Sequence, residues 1–323
     1  MPTAVQVVRP GGPDVLEIAE VEIAGPGPGE LLVDVAAAGV NYIDTYQREG
    51  IYPIPTPFVP GLEGSGTVAA VGADVTGFTP GDRVAWQGSI GSYATRKLVP
   101  AEVAVKVPEG VSDEVAAATM LQGVTAHYLV ASTYEVKPGD DVLIHAAAGG
   151  VGLLLVQLAK ARGARVIGTV STEEKEQLAR EAGADDVIRY DREDFAARAR
   201  ELTGGEGVSV VYDGVGKSTV DGSLASLKVR GLLALFGAAS GPVPPIDPQR
   251  LNSGGSLYLT RPTSAHYVRT REELDWRATE LFEAVTDGAL SIRIGGRYAL
   301  ADARKAHEDL QGRRTTGKLL LLP

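Results

Sequence analysis

The stretch His145-Ala146-Ala147-Ala148-Gly149-Gly150-Val151-Gly152 decides the fold. It lies between an apolar strand candidate, Asp141 to Ile144, and an amphipathic helix candidate, Leu153 to Arg162. A second strand candidate, Ala164 to Val170, follows after Gly163. Strand, tight glycine turn, helix and strand make the unit that binds a dinucleotide. Glycines let the backbone approach a pyrophosphate, and the helix N-terminus offers it N–H groups and a positive dipole end. Aligned with G-x-G-x-x-G the run reads Ala147-x-Gly149-x-x-Gly152, with Ala at the first glycine. A bare glycine pattern is often an ordinary turn, so the flanking elements carry the reading. The expected cofactor contacts here are Gly149, Gly150, Val151 and Gly152.

Outward from this turn the texture is alternating. Helix candidates cover Val124 to Ser132, Gly152 to Arg162, Glu173 to Ala182, Phe195 to Thr203 and Ser218 to Leu227. Between them lie the strand candidates Asp186 to Arg189, Val208 to Asp213 and Gly231 to Phe236. These strands are continuously apolar, as strands covered on both faces must be. The pattern predicts a doubly wound parallel sheet. The first 110 or so residues read differently, as short strands separated by Pro/Gly clusters such as Gly25-Pro26-Gly27-Pro28-Gly29. A helix is expected from Ser112 to Met120, and a long amphipathic one over Arg271 to Gly288. The final strand, Lys318 to Leu322, is expected to return to the first domain and close it. The expected organisation is therefore α/β. A β-rich domain is built from residues 1–122 and 268–323, and a cofactor domain from 123–267.

The chain has 323 residues, 44% hydrophobic and 22% charged, as an ordinary soluble protein of about two domains has. Its net charge of −10 disfavours nucleic acid, which needs concentrated Lys and Arg. No cysteine is present, which removes disulfides, thiolate metal sites and cysteine nucleophiles together. The four histidines lie far apart, without metal-ligand spacing. No apolar run approaches the roughly 18 residues of a membrane span. The N-terminus lacks the basic start and apolar core of a signal peptide, so a cytoplasmic protein is expected.

The end of the second strand names the dinucleotide. An acidic residue there, about 20 residues past the glycine turn, binds both ribose hydroxyls and selects NAD. Here the place reads Gly168-Thr169-Val170-Ser171-Thr172, with no carboxylate until Glu173. Hydroxyls and a nearby cation accept a 2′-phosphate that a carboxylate repels. Lys175, in the first turn of the next helix, can point back towards Ser171, and Tyr190 lies on the same edge. Most such lysines are merely solvated, yet the pattern favours NADPH. Phe236-Gly237-Ala238-Ala239-Ser240-Gly241 ends another parallel strand, where ligands bind. Phe236, Gly237 and Ser240 are candidates to meet the nicotinamide.

At this point a resemblance covers the whole chain. Its segments are Ala38-Gly39-Val40-Asn41-Tyr42-Ile43-Asp44-Thr45-Tyr46, Pro60-Gly61-Leu62-Glu63-Gly64-Ser65-Gly66 and Leu121-Gln122-Gly123-Val124-Thr125-Ala126. They continue with the run at 145–152, Val211-Tyr212-Asp213-Gly214-Val215-Gly216, and Gly255-Ser256-Leu257-Tyr258-Leu259-Thr260-Arg261-Pro262. In this order they resemble the quinone oxidoreductase, zeta-crystallin-like branch of the zinc-free medium-chain dehydrogenase/reductase superfamily. The resemblance implies a GroES-like substrate domain, a Rossmann domain and an active site in the cleft between them. Zinc-dependent relatives place Gly-His-Glu where this chain has Gly61-Leu62-Glu63, and Leu62 cannot bind a metal. The cysteine ligand expected near Ala38 to Asn41 is missing too.

In the resembled family Asn41 and Asp44 lie beside the nicotinamide end, where an amide can bind ribose or carboxamide. Tyr46 and Tyr52 follow closely, and a phenol can donate a hydrogen bond to the acceptor oxygen, or simply pack. Asn41, Tyr46 and Tyr52 are thus the catalytic candidates. Thr125 is expected to face the nicotinamide, Tyr128 to face the phosphates or fill the core, and Arg313 to approach the cofactor. A basic residue of some relatives is replaced by Gln122. The family also pairs the strand at 254–262 across a two-fold axis in a homodimer, which would cover an apolar edge. The expected activity is transfer of hydride from NADPH to a quinone or another conjugated carbonyl without zinc. The alternatives are an enoyl or alkenal double-bond reductase, and a non-catalytic NADPH-binding protein.

Overall fold

The computed structural model describes residues 1–323. It comprises two compact units: Met1–Val124 with Val268–Pro323, and Thr125–Tyr267.

In the first unit β1 (Thr3–Val7) pairs antiparallel with β2 (Leu16–Glu20). The long strand β3 (Glu30–Val40) is the hub, and it leads through Asn41 directly into helix α1 (Tyr42–Arg48). Antiparallel β4 (Glu63–Val71) lies beside it, followed by β5 (Arg83–Gln87), β6 (Arg96–Pro100) and β7 (Ala104–Lys106). Alternating side chains of β3 to β6 bury Leu31, Val33, Val68, Val84, Trp86 and Val99 in one apolar cluster. Helix α2 (Asp113–Tyr128) comes next. A break was expected between Met120 and Val124, but the helix runs through. Gly123 does not stop it because a Cβ there would press Leu281 at 3.2 Å; glycine serves close helix packing.

The second unit holds β8 (Asp141–Ile144), α3 (Gly150–Ala161), β9 (Arg165–Val170), α4 (Glu173–Glu181) and β10 (Asp186–Arg189). It continues with α5 (Phe195–Leu202), β11 (Val208–Asp213), α6 (Val220–Ser226), β12 (Leu227–Leu235), α7 (Gln249–Ser253) and β13 (Tyr258–Thr260). The six strands are parallel in the order β10-β9-β8-β11-β12-β13, which makes the doubly wound parallel sheet expected from the sequence. Helix starts are set locally. The Asp194 carboxylate accepts from Ala196 N and Ala197 N at 2.8 and 2.9 Å, so α5 begins at Phe195. The strand expected over Gly254–Pro262 shrinks to Tyr258–Thr260. Gly254 caps α7, Gly255 takes φ 115°, and Pro262 has no N–H to give.

The chain then returns to the first unit with α8 (Arg271–Thr286), β14 (Ile294–Ala299), α9 (Ala303–Gln311) and β15 (Lys318–Leu322). β15 joins the sheet between β14 and β3, giving the order β14-β15-β3-β4-β5-β7. Its register, Leu319 against Val40 and Leu321 against Ala38, sets Lys318 beside Asn41. The register of β4, Gly64 against Ala38, brings Glu63 to the same place. No helix is long and apolar enough to cross a membrane.

Candidate functional site

In the second unit the functional edge lies at the C-terminal ends of β8, β9 and β11. The first intrahelical bond of α3 runs from Leu153 N to Gly149 O at 2.9 Å, so the N–H groups of Gly150, Val151 and Gly152 precede it. Gly149, Gly150 and Val151 are half-buried rather than covered. This is a cradle for an anion, and it fits a pyrophosphate. Gly152 serves the fold instead: a Cβ there would sit 2.2 Å from Ala146 O. The alanine at position 147 also has its explanation. A Cβ on Gly168 would lie 2.8 Å from the Ala147 methyl, so the small residue needed between turn and strand has moved to β9.

At the end of β9 the half-buried Ser171 and Lys175 flank Thr172, whose hydroxyl caps α4 by accepting from Lys175 N at 3.3 Å. Tyr190 N donates to Val170 O at 3.2 Å, which places this exposed tyrosine on the same edge. Glu173, Glu174 and Glu176 occupy the first turn of α4, where they favour the helix dipole. The strand end therefore offers a hydroxyl, an ammonium and a phenol, with carboxylates only on the helix itself.

Beneath this edge His145 is buried between Thr169 and Ser223. Its Nδ1 lies 2.8 Å from Thr169 Oγ1 and its Nε2 2.9 Å from Ser223 Oγ. Ser223 donates to Asp213 Oδ2 at 2.8 Å, and Phe195 stands edge-on to the imidazole at 4.8 Å. Burial lowers the His145 pKa against the pull of Asp213, so the ring is neutral.

Two expected contact residues of this unit, Tyr128 and Gly237, have packing roles. Tyr128 takes the second of its two expected roles and fills the core: it is buried and stacks face to face on Tyr267 at 4.3 Å. Gly237 is a glycine because its backbone presses on Gly214, whose oxygen would lie 2.4 Å from a Cβ. It therefore serves loop packing. Phe236 fills the space above Gly214, and Ser240 ties two loops by accepting from Ser218 N and donating to Val215 O. Thr125 is half-buried.

The first unit contains a buried polar cluster that the sequence reading did not assemble. Asn41 Nδ2 donates to Glu63 Oε1 at 2.6 Å. Its Oδ1 accepts from Lys318 Nζ at 2.8 Å and from Gln122 Nε2 at 3.2 Å. Lys318 and Glu63 form a salt bridge, and Glu63 Oε2 accepts from Leu121 N at 2.6 Å. Gly39 makes the pair possible, since a Cβ there would meet the Glu63 carboxylate at 2.3 Å and Lys318 Cε at 2.6 Å. The carboxamide expected to meet a ribose is thus engaged within the unit, and Asn41 is 5% exposed. The signal for the cluster was Lys318 itself, one cation at the head of the apolar run Lys318-Leu319-Leu320-Leu321-Leu322.

Asp44 is likewise enclosed. Its Oδ2 accepts from Asn41 N at 2.8 Å and from the Tyr93 hydroxyl at 2.9 Å, while Oδ1 has no partner. Tyr93 contacts His307 Nε2 at 3.1 Å, and Arg48 Nη1 meets His307 Nδ1 at 2.8 Å. Arg48 closes the series on Glu49, Gln311 and Gly11 O. Burial pushes the Asp44 carboxyl up to about 7, although Asn41 N–H, Tyr93 and Lys318 pull it down. Burial and the Arg48 charge push His307 down to about 3. Outside this core, Tyr46 and Tyr52 meet edge to face at 5.7 Å, with Tyr52 exposed, and Arg313 is exposed after α9 with φ 56°. The aromatic pair can line a surface for a flat, conjugated molecule.

Comparison with known proteins agrees with this architecture. Residues 27–109 match the alcohol dehydrogenase GroES-like domain, and residues 150–281 match the zinc-binding dehydrogenase family. The chain is 48% identical over 325 residues to a quinone oxidoreductase of Pseudomonas aeruginosa, covering all of both chains. It is 45% identical over 331 residues to a 2-haloacrylate reductase of Burkholderia, covering 100% of this chain and 99% of that one. The structure of Escherichia coli quinone oxidoreductase complexed with NADPH superposes with a TM-score of 0.97 at 45% identity, covering 99% of this chain and 100% of that one. With both units matched and the likeness running end to end, the chain belongs to the quinone oxidoreductase branch of the medium-chain dehydrogenase/reductase superfamily.

Proposed function

We propose that this protein is an NADPH-dependent quinone reductase that works without zinc. The observation that carries the reading is the end of β9, where Ser171 and Lys175 replace the carboxylate that would select NAD, beside the open N–H groups of α3. Bound NADPH supplies a hydride from C4 of its nicotinamide. The chain does the rest: the first turn of α3 holds the pyrophosphate, Ser171 and Lys175 the 2′-phosphate, and Tyr190 flanks the adenosine end. The zinc-free reading is supported by the donors themselves. Leu62 offers none, and the Asn41 and Glu63 side chains are committed to Lys318. A quinone suits such a site because its conjugated carbonyl needs little electrophilic help. Tyr46 and Tyr52 are the groups proposed to meet it.

Stopped-flow oxidation of NADPH with small ortho- and para-quinones tests the activity; no turnover across the series would refute it. A second reading, reduction of an activated carbon–carbon double bond, is favoured by the likeness to a 2-haloacrylate reductase. Product analysis separates the two, since a saturated ketone formed from an enone establishes the second. For the cofactor, Lys175→Ala is expected to raise the Kd of NADPH about 10- to 100-fold, the loss of one charge-assisted contact of roughly 1.5–3 kcal/mol. NADH should change less than about twofold. Equal effects on both, measured by fluorescence titration, would show that Lys175 does not read the phosphate. We also propose a homodimer through the strand at 254–262, where Tyr258 is 59% exposed at the sheet edge.

A further inference from the structure

The hydrogen bonds around His145 have only one consistent direction. Asp213, fully buried, accepts from Val215 N at 2.8 Å, Gly216 N at 2.9 Å, Thr219 Oγ1 and Ser223 Oγ. The single hydroxyl proton of Ser223 is spent on Asp213, so towards His145 its oxygen is an acceptor. His145 Nε2 must therefore carry the proton. A neutral imidazole then leaves Nδ1 bare, and it accepts from the Thr169 hydroxyl. The series runs Thr169 to His145 to Ser223 to Asp213, each proton pointing inward to one carboxylate.

Its two ends reach different parts of the functional edge. Thr169 stands two residues before Ser171, and its carbonyl also accepts from Ala147 N at 3.1 Å in the glycine turn. Asp213 fixes the loop at Val215 and Gly216, and Val215 O accepts from Ser240, which closes the loop after β12. Three strand ends and two loops thus share one buried carboxylate. His145 is 3% exposed. It packs against Phe195 rather than opening to solvent, so it cannot itself touch a ligand.

We propose that His145 is a positioning residue for the dinucleotide: with Thr169, Ser223 and Asp213 it holds the β9 end, the glycine turn and the 213–216 loop in the spacing that NADPH requires. The inference rests on the NADPH reading above and adds how the adenosine end is held. Only strand-end geometry connects His145 to the cofactor, so the role shows as affinity rather than as a step in the chemistry.

Thr169→Val keeps the shape and removes the first donor, while Thr169→Ser keeps the donor. His145→Phe removes both contacts of the imidazole. The full-length protein and each variant are titrated with NADPH and with 2′,5′-ADP, which reports the adenosine end alone. Thr169→Val is expected to raise both Kd values about tenfold and Thr169→Ser to return them to within about twofold of wild type. His145→Phe should raise them further; if it does not fold, the Thr169 pair carries the test. Lower melting temperatures with unchanged Kd values would mean that the chain only stabilises the unit, which overturns the proposal. Failure of the wild type to bind NADPH would instead remove the cofactor reading on which it rests.

Discussion

Lys318→Met is expected to destabilise the protein by about 3–5 kcal/mol, the cost of leaving one partner of a buried ion pair alone. Glu63 is 0% exposed and Lys318 1%, so water cannot replace the lost ammonium. Methionine fills much of the lysine stem but offers nothing to Glu63 Oε1 or Asn41 Oδ1. Glu63→Gln in the same background should recover at least half of the loss. The neutral amide keeps an acceptor for Leu121 N, and its NH2, standing at the Oε1 position, donates to Asn41 Oδ1 once the Asn41 amide, released by the loss of Lys318, turns over. The two single variants and the double form a cycle, read from urea midpoints at constant slope. Simple additivity of the two substitutions would show that Glu63 and Lys318 do not depend on each other. The pair also spans β4 and β15 across β3, so its loss should loosen the return of the C-terminal strand first.

This cluster marks the limit of what the chain discloses on reading. The glycine turn at 145–152 and the apolar strands after it were sufficient for the doubly wound parallel sheet, because turn chemistry and apolar periodicity are local. The returning strand was legible for the same reason: Lys318-Leu319-Leu320-Leu321-Leu322 is too apolar to be left outside a core. What was not legible was register. Asn41, Glu63 and Lys318 meet because β15 pairs Leu319 with Val40 and β4 pairs Gly64 with Ala38. Nothing local in the chain encodes those alignments. The same holds for Asp44, whose enclosure depends on Tyr93 and His307 from distant elements. Side-chain direction was equally out of reach at Tyr128, left between the phosphates and the core until its stacking on Tyr267 chose the core. The two helices expected over 112–120 and 124–132 meet as one, and Gly123 at their junction packs against Leu281.

Between about pH 4.5 and 6.5 two buried groups should cancel in their effect on stability, and each variant should expose the other. Asp44 keeps its proton in the folded protein up to about pH 7, whereas in the unfolded chain it ionises near its ordinary value of 3.8. In this window the folded state binds the extra proton, so Asp44 makes stability fall as pH rises. His307 has the opposite sign. It is neutral in the fold down to about pH 3, whereas the unfolded chain protonates it below about 6.5, so stability rises with pH. Each slope is about 1.4 kcal/mol per pH unit. Asp44→Asn should therefore gain stability relative to wild type as pH rises from 4.5 to 6.5, by about 2–3 kcal/mol. His307→Gln should lose a similar amount over the same range. The other charges facing the pair, on Arg48, Glu49, Glu63 and Lys318, are present in all three proteins, as is the Tyr93 phenol, so differences between profiles isolate the two groups. Denaturant midpoints at half-unit steps of pH decide the matter. An Asp44→Asn profile parallel to that of the wild type would mean that the carboxyl is already ionised, and that its orphaned Oδ1 carries a charge the fold tolerates.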